Sequence, residues 1–167
     1  MNVQVRRWLL SYAVAAVIFA AVDVVWIGTV ANNQYESQIG DLLAPSVNLA
    51  GAVAFYLVYV VGIVHYGIRP GHPDATMRER VTGAALFGFF TYATWALTAL
   101  AVLKDFPAVV ALTDIAWGVA VCSVVTWLTA TLLRRMLARA APQNSPAAAK
   151  ATRGHVRPIP NPGMGRE

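Results

Sequence analysis

The sequence predicts an all-α polytopic membrane protein, a four-transmembrane-helix bundle with a disordered C-terminal tail. Three observations carry that prediction. The 167 residues are 57% hydrophobic and only 13% charged, whereas a soluble domain averages about 25% charged. The mean hydropathy is positive. The apolar residues gather into four runs of about 22–26 residues, enough at about 1.5 Å per residue to cross a hydrocarbon core about 30 Å thick. These spans must be helices, because backbone groups in lipid have to be satisfied inside the segment.

The spans fall at about residues 8–30, 47–68, 81–103 and 108–133. At about 20 residues each they consume roughly half the chain, which leaves no room for a separate soluble catalytic domain. The first run follows Arg6 and Arg7, as a secretory signal would. It is too long for a signal h-region and carries Asp23, so a retained helix is expected. Residues 31–46 read as a short, mildly acidic connection, with the Ile39–Pro45 stretch as a turn or short helix at the lipid surface. Residues 70–79 read as a polar loop broken by Pro70, Gly71 and Pro73. Residues 1–139 form the membrane domain; residues 140–167 form a basic, Ala/Pro-rich cytoplasmic tail with too little bulky apolar content to order itself.

Orientation follows from the cations. Arg6 and Arg7 precede the first span, Arg69, Arg78 and Arg80 sit between the second and third, and Arg134, Arg135 and Arg139 follow the fourth. The other two connections hold only Lys104. The bias predicts a multi-pass protein of the cytoplasmic membrane with both termini cytoplasmic. It also accounts for the net charge of +5 without nucleic acid. Cys122 is the single cysteine, which excludes an intrachain disulfide and a cysteine-based metal site. His65 lies near the inner end of the second span, His72 in a loop and His155 in the tail. No phosphate-cradling glycine loop is present, so no metal, cofactor or nucleotide is expected.

Two aspartates interrupt the apolar runs: Asp23-Val24-Val25-Trp26-Ile27-Gly28 and Asp114-Ile115-Ala116-Trp117-Gly118. An ionisable group at membrane depth costs about 2.5–3.5 kcal/mol on insertion scales, so it normally faces the bundle interior and serves a function. The first helix runs outward and the fourth inward. Each aspartate sits about 10 Å below the outer surface at about 1.5 Å per residue. Residues three or four apart share a helix face. The faces carrying Asp23 and Trp26, Asn48 and Tyr56, Tyr92, and Asp114 and Trp117 therefore predict one outer-half cluster. Gly51, Gly62, Gly83, Gly88 and Gly118 suit close helix packing. Trp26 and Trp117 suit either the interior or an interfacial belt.

Paired carboxyls beside aromatic faces could relay a proton, bind a cationic or hydrogen-bonding head group, or act as acid and base. Alternatively, each hydrogen-bonds Asn48, Tyr56 or Tyr92 and only fixes the bundle. The preferred reading is non-enzymatic: binding of a lipid or small amphiphile, or conduction of a proton or solute. The rivals are a membrane-embedded lipid-modifying enzyme using Asp23 and Asp114, and a structural accessory subunit. Membrane lipids are the expected partners, with a homo-oligomer or a membrane partner protein for conduction or an accessory role. Conduction requires an inner path from the cluster toward Tyr66; binding requires only a pocket open outward or to lipid.

The order and spacing of several stretches resemble the bacterial inner-membrane family of domain of unknown function 2177. They are Val22-Asp23-Val24-Val25-Trp26-Ile27-Gly28, Ile39-Gly40-Asp41-Leu42-Leu43-Ala44-Pro45, Asn48-Leu49-Ala50 with Phe55-Tyr56-Leu57-Val58-Tyr59, Gly83-Ala84-Ala85-Leu86-Phe87-Gly88, Thr91-Tyr92-Ala93-Thr94 and Thr113-Asp114-Ile115-Ala116-Trp117-Gly118. The resemblance implies a four-helix membrane protein and supplies no reaction. One departure stands out. Where the family pattern usually carries Asp and Asn in the third helix, this chain has Ala96 and Ala99. Chemistry resting on those two groups would be altered here, whereas chemistry resting on Asp23 and Asp114 would survive.

Overall fold

A computed structural model describes residues 2–140, all of whose regular structure is helical. Helix α1, Val3–Trp26, starts at Asn2, whose side chain accepts the Gln4 N–H. It passes through a π-helical turn, Ile27–Ala31, into α2, Asn32–Ile39, and a 3-10 turn, Gly40–Leu42. Helix α3, Leu49–Gly62, is capped by Asn48 and ends in a second π turn, Ile63–Ile68. Helix α4, Met77–Val102, opens with a capping box of Thr76 and Glu79. Helix α5 covers Ala108–Ala140. The described residues hold four helical segments long and apolar enough to cross a membrane: Val3–Leu42, Leu49–Ile68, Met77–Val102 and Ala108–Arg139. The chain divides into two units, Met1–Leu133 and Arg134–Glu167, and all packing described below lies in the first. The expected tail lies outside the described residues from 141 onward.

The first segment departs from the sequence expectation at its outer end. Residues 31–39 continue as helix where a loop was predicted. The π turn absorbs an extra residue without breaking the backbone ladder, and no glycine or proline interrupts the chain between Gly28 and Gly40.

One stripe of α1 is buried at four-residue spacing: Ser11, Ala15, Phe19 and Asp23. It meets Tyr59, Val60, Ile63 and Val64 from α3 and its π turn, Ala84 from α4, and Val121, Cys122 and Val125 from α5. Side chains on the outer flanks, such as Val17 and Val58, are more than 70% exposed, as lipid-facing positions should be. Between α4 and α5 the backbones touch. A Cβ at Gly88 would strike the Gly118 carbonyl oxygen, and one at Gly118 would strike the Tyr92 ring and approach the Gly88 oxygen at 2.8 Å. Small residues at such a crossing let helices gain van der Waals contact that lipid cannot supply.

Arg80 does more than bias topology. It is buried, and its guanidinium donates to the carbonyls of Ala75 (3.2 Å), Arg69 (3.3 Å) and His72 (2.7 Å). It thereby stitches the loop between the second and third spans.

The glycine crossing gives a direct test. Gly88→Ala or Gly118→Ala should destabilise the bundle by about 1–3 kcal/mol, the usual cost of overpacking a tight contact. Gly28→Ala should change stability little, since nothing lies within 4 Å of its Cβ position. Steric-trapping measurements in bilayers compare the three; equal values would refute the close crossing.

Candidate functional site

The helix face that buries Phe19 also buries Asp23, which is 7% exposed. Its carboxyl joins three helices. The Tyr56 hydroxyl of α3 donates to Oδ2 at 2.5 Å, and the Trp117 indole N–H of α5 donates to Oδ1 at 3.4 Å. The second contact is longer than the common 2.7–3.2 Å range and contributes less. Trp117 also stacks on Trp26, with ring centroids 4.2 Å apart and planes 5° from parallel. The two tryptophans predicted to follow the aspartates therefore pair with each other across the α1–α5 contact.

Asp114 is 4% exposed. The Tyr35 hydroxyl of α2 lies 2.7 Å and 2.8 Å from its two oxygens, so a single O–H is shared between them. One residue back on each helix, Gln34 Nε2 donates to Thr113 Oγ1 at 3.1 Å. The helical continuation beyond the π turn thus folds over the outer end of α5. Tyr35 was not among the residues chosen from sequence. The available signal was an aromatic in a polar stretch free of glycine and proline.

The rest of the cluster is aromatic. Tyr59 shares hydrogen bonds with Thr91 Oγ1 (3.1 Å) and Cys122 Sγ (3.2 Å). Tyr92 meets Tyr59 edge-on at 6.0 Å and rests against Gly118. Tyr35 and Tyr92 each lie within electrostatic reach of both carboxyls. The structure therefore brings together Asp23, Trp26, Tyr56, Tyr92, Asp114 and Trp117. Asn48 does not join them. It is exposed, and its Oδ1 accepts the Gly51 N–H at 3.1 Å as the cap of α3. An asparagine at a helix start is drawn to the unpaired N–H groups of the first turn.

A cavity of about 280 Å³ opens beside Asp114, lined by Tyr35, Phe55, Tyr59, Thr91, Tyr92 and Trp95. Asp23 lies off its wall. Ala96 and Ala99 are buried with Phe106, Val110 and Ala111 against Tyr35 and Ile115, so an apolar patch adjoins the Tyr35–Asp114 pair.

Among the described residues, neither aspartate has a Lys, Arg or His within 4.0 Å. No three His, Cys, Asp or Glu side chains there converge as a metal ion would require. A carboxyl has about four acceptor positions, so both groups keep capacity beyond their present partners. At membrane depth, charge on either needs neutralising by a proton or by a cation. The arrangement can hold a hydrogen-bond donor or a cation, and it can carry a proton.

Four apolar helices around a buried polar centre define an integral membrane protein of the small four-span class. The chain belongs to the family described as "Predicted membrane protein (DUF2177)", whose model matches residues 8–131. That match includes every residue of the cluster. No curated protein and no solved structure matches the chain.

The hydrogen bonds can be weighed by substitution. Interhelical hydrogen bonds in membranes average about 0.6 kcal/mol and reach about 1.7 kcal/mol. Tyr56→Phe and Tyr35→Phe should each cost an amount in that range. In a double-mutant cycle, Tyr56→Phe should lose its effect once Asp23→Leu is present, while Tyr35→Phe should keep its own. Additivity of Tyr56→Phe with Asp23→Leu would contradict the pairing.

Proposed function

We propose that the protein binds a lipid or small amphiphile, without catalysis, in the cavity beside Asp114. The supporting observation is the two-sided lining of that cavity. Asp114, Tyr35, Tyr59, Thr91 and Tyr92 give a polar wall, while Phe55 and Trp95 are 42% and 61% exposed on the flank. The volume of about 280 Å³ falls just below the range of about 300–1,000 Å³ for small-molecule sites. It suits a head group with its chain left between Phe55 and Trp95 in the bilayer. A carboxyl without a basic partner, ringed by hydroxyl donors and aromatic faces, suits a cationic or hydrogen-bond-donating head group.

Binding is preferred to conduction on one observation. Inward of the cluster, Phe19, Val60, Ile63, Val64, Val121 and Val125 are at most 1% exposed and packed together. They fill the route toward Tyr66 that conduction would need. In this reading the partners are membrane lipids; a homo-oligomer or a partner protein would belong to the conduction or accessory readings. The distribution of Arg6, Arg7, Arg69, Arg78, Arg134 and Arg135 supports cytoplasmic termini in a bacterial inner membrane.

Native mass spectrometry of the purified protein tests the proposal. Wild type should retain a co-purifying amphiphile, and Asp114→Asn should retain about tenfold less, a loss of about 1.4 kcal/mol of binding. Asp23→Asn should retain it more nearly as wild type does, because Asp23 lies off the cavity wall. Equal retention by wild type and Asp114→Asn would sink the proposal.

A further inference from the structure

At the opposite end of the bundle lies a cavity of about 510 Å³, lined by Trp8, His65, Tyr66, Arg69, Pro70, Gly71, His72 and Gly83. Its chemistry is the reverse of the outer cluster. Three lining residues can carry positive charge and none is acidic. We propose that this cavity binds a phosphate-bearing anion, the head group of an anionic phospholipid.

The position of Arg69 is built into the backbone. Its φ of 49° and ψ of 61° place it in the left-handed region, which a non-glycine residue seldom adopts without support from its surroundings. Its N–H donates to the Val64 carbonyl at 2.8 Å, and its carbonyl accepts from His72 N–H at 3.0 Å and Arg80 Nη1 at 3.3 Å. Buried Arg80 thus fixes the loop that presents Arg69. The Arg69 guanidinium has no hydrogen-bond partner and no carboxylate within 4.0 Å among the described residues. Its planar fork of donors remains available, and that fork matches phosphate geometry.

The carboxylates of Glu79 and Asp74 line an adjoining hollow of about 360 Å³ that shares Arg69, Gly71 and His72. Glu79 feels the Arg69 charge, but its hydrogen bonds come from Thr76, from its N–H at 2.7 Å and its hydroxyl at 3.0 Å. On the other side, a Cβ at Gly83 would strike the Tyr66 carbonyl, so only glycine lets α4 approach the π turn and leave the floor open. Trp8, stacked on Tyr12 at 5.5 Å, and Tyr66, stacked on Phe87 at 5.3 Å, add amphipathic rings of the kind that settle at head-group level. The volume falls within the range of about 300–1,000 Å³ for ligand sites.

The test titrates the full-length protein in mild detergent with phosphatidylglycerol, phosphatidylcholine or inorganic phosphate, with bound species read by native mass spectrometry. Arg69→Gly suits the left-handed backbone and removes the guanidinium together with the rest of the side chain. It should weaken phosphatidylglycerol binding about fivefold, the effect of one basic residue at a lipid surface. Arg69→Asn, also tolerated in that conformation, should do the same if the glycine variant is unstable. Arg78→Gln, outside the cavity lining, should bind as wild type does. Displacement of the lipid by millimolar phosphate would assign the site to the phosphate group alone; no displacement would assign it to the whole head group. Unchanged binding in both Arg69 variants, an equal loss in Arg78→Gln, or phosphatidylcholine bound as tightly as phosphatidylglycerol would overturn the proposal. Asp114→Asn should leave phosphatidylglycerol binding intact, so this result stands or falls apart from the outer cavity.

Discussion

A carboxyl inside a bilayer has to be met by hydrogen bonds, and the half of the bundle that holds Asp23 and Asp114 is organised by that requirement. Acyl chains supply no donors, so each buried acid finds them on another helix. Asp23 finds them on α3 and α5 through Tyr56 and Trp117. Asp114 finds one on the continuation of α1, through Tyr35. The acids therefore act as knots: each ties its own helix to a neighbour that apolar contact alone would hold only loosely. The stacked pair of Trp26 and Trp117 closes the same contact from the side.

The two ends of the bundle are built on different principles. The end that holds Asp23 and Asp114 is aromatic and acidic. The end that holds Arg69 is aromatic and basic, with a loop laced to Arg80 by three carbonyl contacts. Between them lies a close-packed apolar layer, in which the glycine crossing of α4 and α5 brings backbones into contact. The two pockets are separate, and they differ in charge: Asp114 lines one, and Arg69, His65 and His72 line the other.

Much of this was legible in the sequence. The four spans follow from run length and composition. The interior placement of Asp23 and Asp114 follows from the cost of burying them, and helical spacing puts Asp23 on the face that meets Tyr56, whereas the Trp117 bond to Asp23 and the Tyr35 bond to Asp114 needed the structure. Asn48 was misplaced because a helix-facing position and a cap position look alike in a register argument, and the unpaired N–H groups of the first turn claimed its side chain. Tyr35 was missed because Asn32 and Asn33 are weak helix formers, and nothing in the pattern announces a π turn that carries helix past residue 30. The left-handed backbone at Arg69 was equally hidden, since it depends on carbonyl contacts from a residue eleven positions away. Ala96 and Ala99 both pack in an apolar cluster beneath Tyr35, so the polar centre rests on the two aspartates and their tyrosines.

The central claim is that Asp23 is held in the interior by groups from the last helix. Solid-state NMR on the protein in bilayers, with 13C-labelled aspartate and 15N-indole-labelled tryptophan, measures it directly. The account requires a carbon–nitrogen dipolar coupling from the Asp23 carboxyl to the Trp117 indole, consistent with the 3.4 Å oxygen–nitrogen contact and abolished by Trp117→Phe. Absence of that coupling, or its survival in Trp117→Phe, would contradict it.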